Sequence, residues 1–186
     1  MIKTKSGLEI SIRQETPDDY PEVNALVDTA FTFYRATYNV PGEDDTADYL
    51  IAVRQKDTYI PELAFVAVLP DGKIAGQITL YHTDIITATN RITQLVLSPI
   101  SVLPEFHKRG IAREMITYAL AKAKEMGYVA VFLQGNPRFY EKFGFEPAYK
   151  HGIYHERDKE RSAEYCMVNI LTPGGLDGVT GVTYYE

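Results

Sequence analysis

The chain has a single cysteine, Cys166, only four histidines and no purely apolar run long enough to cross a bilayer in its 186 residues. One thiol excludes an internal disulfide. Basic residues are also in short supply: 19 Lys and Arg stand against 25 Asp and Glu, a formal net charge of −6. A protein that grips phosphodiester backbones needs a basic face, so no nucleic-acid partner and no membrane partner is expected. The opening Met1-Ile2-Lys3-Thr4-Lys5-Ser6-Gly7 has no apolar core of a secretory signal. With the lone cysteine, this makes a reducing, cytoplasmic setting the expectation. Signatures of a phosphate-binding P-loop, a nucleophile elbow and a zinc-protease helix are all missing. His151 and His155 have the spacing of one helix face, yet without further matched ligands they do not make a metal site, and no metal is expected.

What is present suffices for one sizeable core, with 45% hydrophobic residues and a single domain expected over 1–186. Leu8, Ile10 and Ile12 alternate with Glu9, Ser11 and Arg13, which predicts a strand with one buried face. Thr16-Pro17-Asp18-Asp19 has the form of a helix start. Thr16 is the N-cap, Pro17 takes the first helical position, Asp19 completes a capping box, and the helix should run to about Phe31. Beyond a loop at Asn39, Pro41 and Gly42, the acidic run Glu43-Asp44-Asp45 leads into a second helix carrying Tyr49, Leu50 and Val53. Leu63 to Leu69 and Lys73 to Tyr81 flank Pro70-Asp71-Gly72 and predict a β-hairpin. Thr83 to Thr93 reads as a loop or strand end. The following strand, Gln94 to Leu103, contains Pro99, which cannot donate to a ladder and implies an edge, a bulge or a splay. A long helix, a strand over 128–133 and a short helix opened by Asn136-Pro137 and closed by Gly144 come next. Strands over 164–171 and 179–185, separated by Pro173-Gly174-Gly175, complete a mixed α/β order around a mainly antiparallel sheet.

The long helix has an unusual beginning. Ile111, Met115, Ile116, Ala119, Leu120 and Ala123 recur at helical spacing and Gly127 stops them, but no Ser, Thr, Asp or Asn stands ahead of Ile111. Lys108, Arg109 and Arg113 crowd a helix end whose dipole favours acids. Exposed N–H groups and clustered cations at a glycine turn suit a bound anion such as pyrophosphate.

Leu97 to Ala112 resembles motif A of the GNAT superfamily of acyl-CoA N-acyltransferases, whose turn is Arg or Gln, two residues, Gly, one residue, then Gly or Ala. Here His107 stands in the Arg or Gln position, while Gly110 and Ala112 match. Gly135 to Phe145 resembles motif B, above all in Tyr140-Glu141-Lys142-Phe143-Gly144-Phe145. The two motifs occur in the family's order, and the whole chain is similar to a bacterial N-acetyltransferase subgroup of YhbS type. This resemblance implies the GNAT-like fold, helices flanking a mainly antiparallel sheet, with acetyl-CoA or another acyl-CoA as co-substrate. It implies a pyrophosphate held by the backbone of Lys108, Arg109, Gly110, Ile111 and Ala112, and a pantetheine arm along Ile100 and Val102, where the Pro99 strand splays. Asn136 is a further cofactor contact or simply an N-cap, and Tyr140 is the family's general acid or a packed aromatic. Homodimers are common in such relatives.

The chemistry fits those assignments. A thiolate of pKa about 8.5 leaves when an amine attacks a thioester, and a phenol of pKa about 10 can hydrogen-bond or protonate it. An acceptor amine, on a small molecule or a peptide, must also lose a proton. No motif names the base; His82, Asp84, Glu62 and Gln94 through water are candidates near expected strand ends. A backbone N–H near Val102 could hold the oxyanion, and direct transfer is expected because Cys166 shows no sign of activation. Glu43, Asp44, Asp45 and Asp48 are a solvated helix start or an attraction for a cationic acceptor. His107 and the unassigned base leave a second reading, a non-catalytic acyl-CoA-binding or regulatory module.

Overall fold

The computed structural model describes residues 1–40, 46–158 and 162–185, so Glu43, Asp44 and Asp45 lie outside the described residues. In chain order the elements are β1 (Ile2–Lys3), β2 (Glu9–Gln14), α1 (Tyr20–Tyr38), α2 (Thr46–Val53), β3 (Tyr59–Val68), β4 (Ile74–Ile86) and β5 (Arg91–Val102). There follow α3 (Ile111–Glu125), β6 (Ala130–Gln134), α4 (Pro137–Tyr140), β7 (Glu146–Pro147), β8 (Ile153–His155), β9 (Cys166–Ile170) and β10 (Gly181–Thr183). They form two compact units, Met1–Leu80 with Pro99–Ala119, and Tyr81–Ser98 with Leu120–Glu186.

In the first unit the strands lie in the order β1-β2-β3-β4-β5. β2 is antiparallel to both β1 and β3. The turns joining β3 to β4 and β4 to β5 are too short for a crossover, so these neighbours are antiparallel too. Thr16 caps as expected: its N–H and hydroxyl both donate to Asp19 Oδ2 at 2.8 Å, ahead of the 3₁₀ turn Pro17–Asp19 that leads into α1. Helix α1 continues well past Phe31. Its second half holds aromatic and β-branched residues of modest helix propensity, but Phe31 packs on the core, the Tyr34 and Tyr38 rings pair at 4.9 Å, and Asn39 ends the helix in the left-handed region. Val23, Leu26 and Val27 of α1 form one core with Ala47 and Leu50 of α2, Val66 of β3, Ile74 of β4 and Leu103. On β3, Phe65 meets Tyr118 of α3 edge-on at 5.0 Å. A Cβ at Gly76 of β4 would stand 2.9 Å from Met115 Sδ and 3.1 Å from Ile111 Cγ2, so α3 sits against bare backbone there.

A buried ion pair ties this unit's elements together. Arg54 Nη2 donates to Glu15 Oε1 at 2.6 Å, Arg54 Nη1 donates to Asn24 Oδ1 at 2.7 Å, and the guanidinium stacks on the Tyr20 ring at 4.1 Å. Burial pushes the Glu15 carboxyl above the usual carboxylate range, against the pull of Arg54.

In the second unit β6 is parallel to β5 and antiparallel to β9, and β9 is antiparallel to β7. β10 pairs antiparallel with the end of β4 and parallel with β8. Of the stretch from Thr83 read as a loop or strand end, the part as far as Ile86 is the end of strand β4, because β10 supplies a partner at Ile85 and Ile86. The β5–β6 register comprises Leu95↔Val131 and Val96↔Phe132 and stops short of Pro99, as the proline led one to expect. Gln94 Oε1 accepts the N–H groups of Val129 and Ala130 at 3.1 and 3.0 Å and so starts β6. His151 and His155, whose spacing would suit one helix face, do not share a helix: His151 ends a 3₁₀ turn and bonds Glu146, while His155 lies in β8 with Nε2 donating to the Tyr185 carbonyl at 2.7 Å. Among the described residues no cluster of metal-ligating side chains occurs, and no helix is long and apolar enough to cross a membrane.

Candidate functional site

The turn before α3 has a backbone that its residue types only partly announce. After the 3₁₀ turn Pro104–Phe106, Lys108 adopts φ 59° and Gly110 φ 92°. Gly110 is at ease in that region; Lys108 is held there at a cost. Such left-handed steps in a short run turn successive N–H groups toward one side, the geometry of an anion cradle. The Arg109 N–H donates to Phe106 O at 3.3 Å, and Glu114 is the first helical residue whose N–H bonds back, to Gly110 O at 3.2 Å. The N–H groups of Lys108, Gly110, Ile111 and Ala112 find no backbone acceptor among the described residues. Of the expected donors, Arg109 is thus the one already engaged. The N-terminal segment braces the turn: Ser6 Oγ donates to Arg109 O at 2.8 Å, and a Cβ at Gly110 would approach Thr4 Cβ to 3.2 Å. Lys108 and Arg109 are exposed and make no ion pair among the described residues, so their charge is available to a ligand.

Beyond Val96, the strand leading to the turn has no strand partner on its β6 side among the described residues. Leu103 N–H donates to Ala75 O of β4 at 3.0 Å. Because backbone direction alternates residue by residue, the N–H and C=O of Val102 point away from β4, and so do those of Ile100. The Val102 carbonyl is not vacant, however: His107 Nε2 lies 3.0 Å from it. The sequence offered no signal for this contact.

In the second unit, Asn136 caps α4 by accepting the Arg138 N–H at 3.0 Å, so its side-chain oxygen has a structural task. Tyr140 ends the helix half-buried, with Phe139 edge-on at 4.8 Å and Phe145 at 5.8 Å. Gly135 lies against the same ring, since a Cβ there would stand 2.8 Å from Tyr140 Cδ2. Gln134, just before it, has a buried amide nitrogen without an acceptor among the described residues. The base candidates fare unevenly. Asp84 accepts from Arg91 and Thr93 at 3.0 and 2.7 Å, and Gln94 is committed to β6. His82 and Asp84 lie within β4 rather than at its end, and Glu62 is an exposed residue of β3. His82 Nε2 sits 2.6 Å from the Tyr128 hydroxyl. Asp48 is an exposed residue in the first turn of α2. Cys166 is buried, with Sγ 3.4 Å from Tyr185 Oη, and burial pushes its thiol up to about 11.

Known proteins resemble this chain in sequence and in fold. The acetyltransferase (GNAT) domain family matches residues 11–148. The uncharacterized N-acetyltransferase YhbS of Escherichia coli K12 is 28% identical over 175 residues, 94% of this chain and 95% of its own length. The crystal structure of Escherichia coli YhbS in complex with CoA superposes with a TM-score of 0.81 at 26% identity, over 96% of this chain and 91% of that one. A GNAT family acetyltransferase from Brucella melitensis in complex with acetyl-CoA has the same fold, at a TM-score of 0.74, 23% identity and 96% coverage of both chains. The mixed, mostly antiparallel sheet with flanking helices is the GNAT fold, and by the match over 11–148 the chain belongs to the GNAT acetyltransferase domain family.

Proposed function

We propose that the protein is an acyl-CoA-dependent N-acyltransferase that moves an acetyl group from acetyl-CoA to a primary amine, on a small molecule or a peptide, by direct attack within a ternary complex. The observation that carries this reading is the turn Lys108–Ala112, where two left-handed residues, open N–H groups and two exposed cations meet at the start of α3. A diphosphate supplies what that turn lacks, acceptors and negative charge. The CoA and acetyl-CoA complexes of the two relatives support the same donor.

In the reaction, the neutral amine nitrogen bonds to the thioester carbonyl carbon and the C–S bond then breaks. The amine proton leaves to a base or a water. Tyr140 gives its phenolic proton to the departing sulfur, and a backbone N–H near Val102 meets the oxyanion. The pantetheine arm runs along Ile100 and Val102, with Asn136 near the cofactor. A cytoplasmic enzyme, active as a monomer or a homodimer, suits this chemistry.

Isothermal titration with CoA and acetyl-CoA tests the cofactor. Saturable binding by the native protein and none by Gly110→Glu, which puts a carboxylate into the cradle, is the expected result. Absence of binding by the native protein sinks the proposal. A second reading, a non-catalytic acyl-CoA-binding module, draws on the structural bonds that occupy Asp84 and Gln94. A panel of amines, antibiotics and peptides monitored for release of free CoA separates the two, since tight cofactor binding without turnover on any acceptor favours the binder.

A further inference from the structure

His107 departs from the Arg or Gln of the motif and does something specific in this chain. Its Nε2 lies 3.0 Å from the carbonyl oxygen of Val102. A carbonyl only accepts, so the ring carries a proton on Nε2 and donates it. The same ring also meets Phe33 of α1 in a T-shaped contact, with centroids 5.3 Å apart. One exposed side chain therefore joins three parts of the first unit: the first residue of the anion turn, the end of β5 and the second half of α1.

We infer that His107 is a positioning residue that locks the turn for the cofactor diphosphate onto the strand that receives its pantetheine arm. This rests on the proposed acyl-CoA reading and adds a role for this chain's own residue. The consequence for β5 is a change of hydrogen-bonding character. Val102 directs both its N–H and its C=O away from β4, and His107 covers the C=O. The edge then offers a donor and no competing acceptor at Val102, which suits a ligand carbonyl or a thioester oxyanion and disfavours a ligand N–H. Preorganisation follows as well. The left-handed Lys108 directly after His107 would gain freedom if the ring let go, and ordering it again would be charged against cofactor binding.

Two substitutions test this. His107→Ala removes the donor, and His107→Gln restores an N–H donor of similar reach. Because the side chain is exposed, both variants are expected to fold, which their thermal transitions check. CoA affinity should fall about ten-fold in His107→Ala, the size of one net hydrogen bond, and recover to within about three-fold of the native value in His107→Gln. KM for acetyl-CoA should rise by the same factor, with a smaller change in kcat. Equal CoA affinity in native protein and His107→Ala, or equal weakness in both variants, overturns the inference. A readout independent of the cofactor comes from the imidazole nitrogens in a long-range 15N–1H spectrum at about pH 8. The signal set lost in His107→Gln should show the Nε2–H tautomer, and an Nδ1–H tautomer would refute the contact with Val102. Failure of native CoA binding with that tautomer intact would reject the function while leaving the contact standing.

Discussion

Tyr140 has an acid's reading and a packed aromatic's reading, and one oxygen distinguishes them. The ring is braced by Phe139, Phe145 and the bare backbone of Gly135, contacts that Phe at this position would keep. Tyr140→Phe is therefore expected to lower turnover by about 10²-fold, the lower range for a general acid, while CoA affinity stays within about three-fold. Full activity in steady-state assays would remove the acid role. Cys166 belongs to the same scale. Its thiol is buried and pushed up to about 11, so a thiol reagent at about pH 8 should modify it in denatured protein and leave it untouched in the native state. Cys166→Ala should keep its turnover, as direct transfer requires.

Between elements, a buried ion pair in the first unit joins Glu15, just beyond β2, to Arg54, just beyond α2. Their side chains are only 1% and 5% exposed. Removing Arg54 leaves a carboxylate buried without its partner, so Arg54→Ala should cost about 3–5 kcal/mol in urea unfolding. The sign of its pH dependence follows from Glu15. Burial already pushes that carboxyl up, and loss of the guanidinium removes the main opposing pull. A carboxyl whose pKa is higher folded than unfolded binds protons preferentially in the folded state, and stability falls as pH rises between the two values. The penalty should thus be larger at about pH 7 than at about pH 5. Equal penalties would show that the variant admits water to Glu15. Nothing in the sequence paired these residues, 39 positions apart; α2 had to pack on α1 before Arg54 could reach. The capping box of Thr16 and Asp19, the hairpin turn at Pro70-Asp71-Gly72 and the Asn136 cap were legible, because each involves residues close in the chain.

For the whole molecule, a ligand that binds only the folded state must raise the melting temperature. CoA at 100 times its dissociation constant adds about 2.7 kcal/mol, which for a chain of this size corresponds to about 5–10 °C. Scanning fluorimetry should show that shift in native protein and none in Gly110→Glu, and a flat response of the native protein contradicts acyl-CoA binding. Local sequence pattern was enough for most elements, for the Pro99 strand and for the uncapped start of α3, since periodicity, proline and capping chemistry act within a few residues. It was also enough for the two motifs that resemble the GNAT superfamily. It could not reveal β1, β7 and β8, which are two or three residues long and exist as strands only through their partners. Nor could it show that α1 outruns its own propensity, that β4 extends to Ile86 because β10 lies beside it, or that His107 reaches back to Val102. Those outcomes depend on contacts between residues far apart in the chain. Hydrogen bonds and packing of that kind have no local signature, and they form only once the surrounding elements are in place.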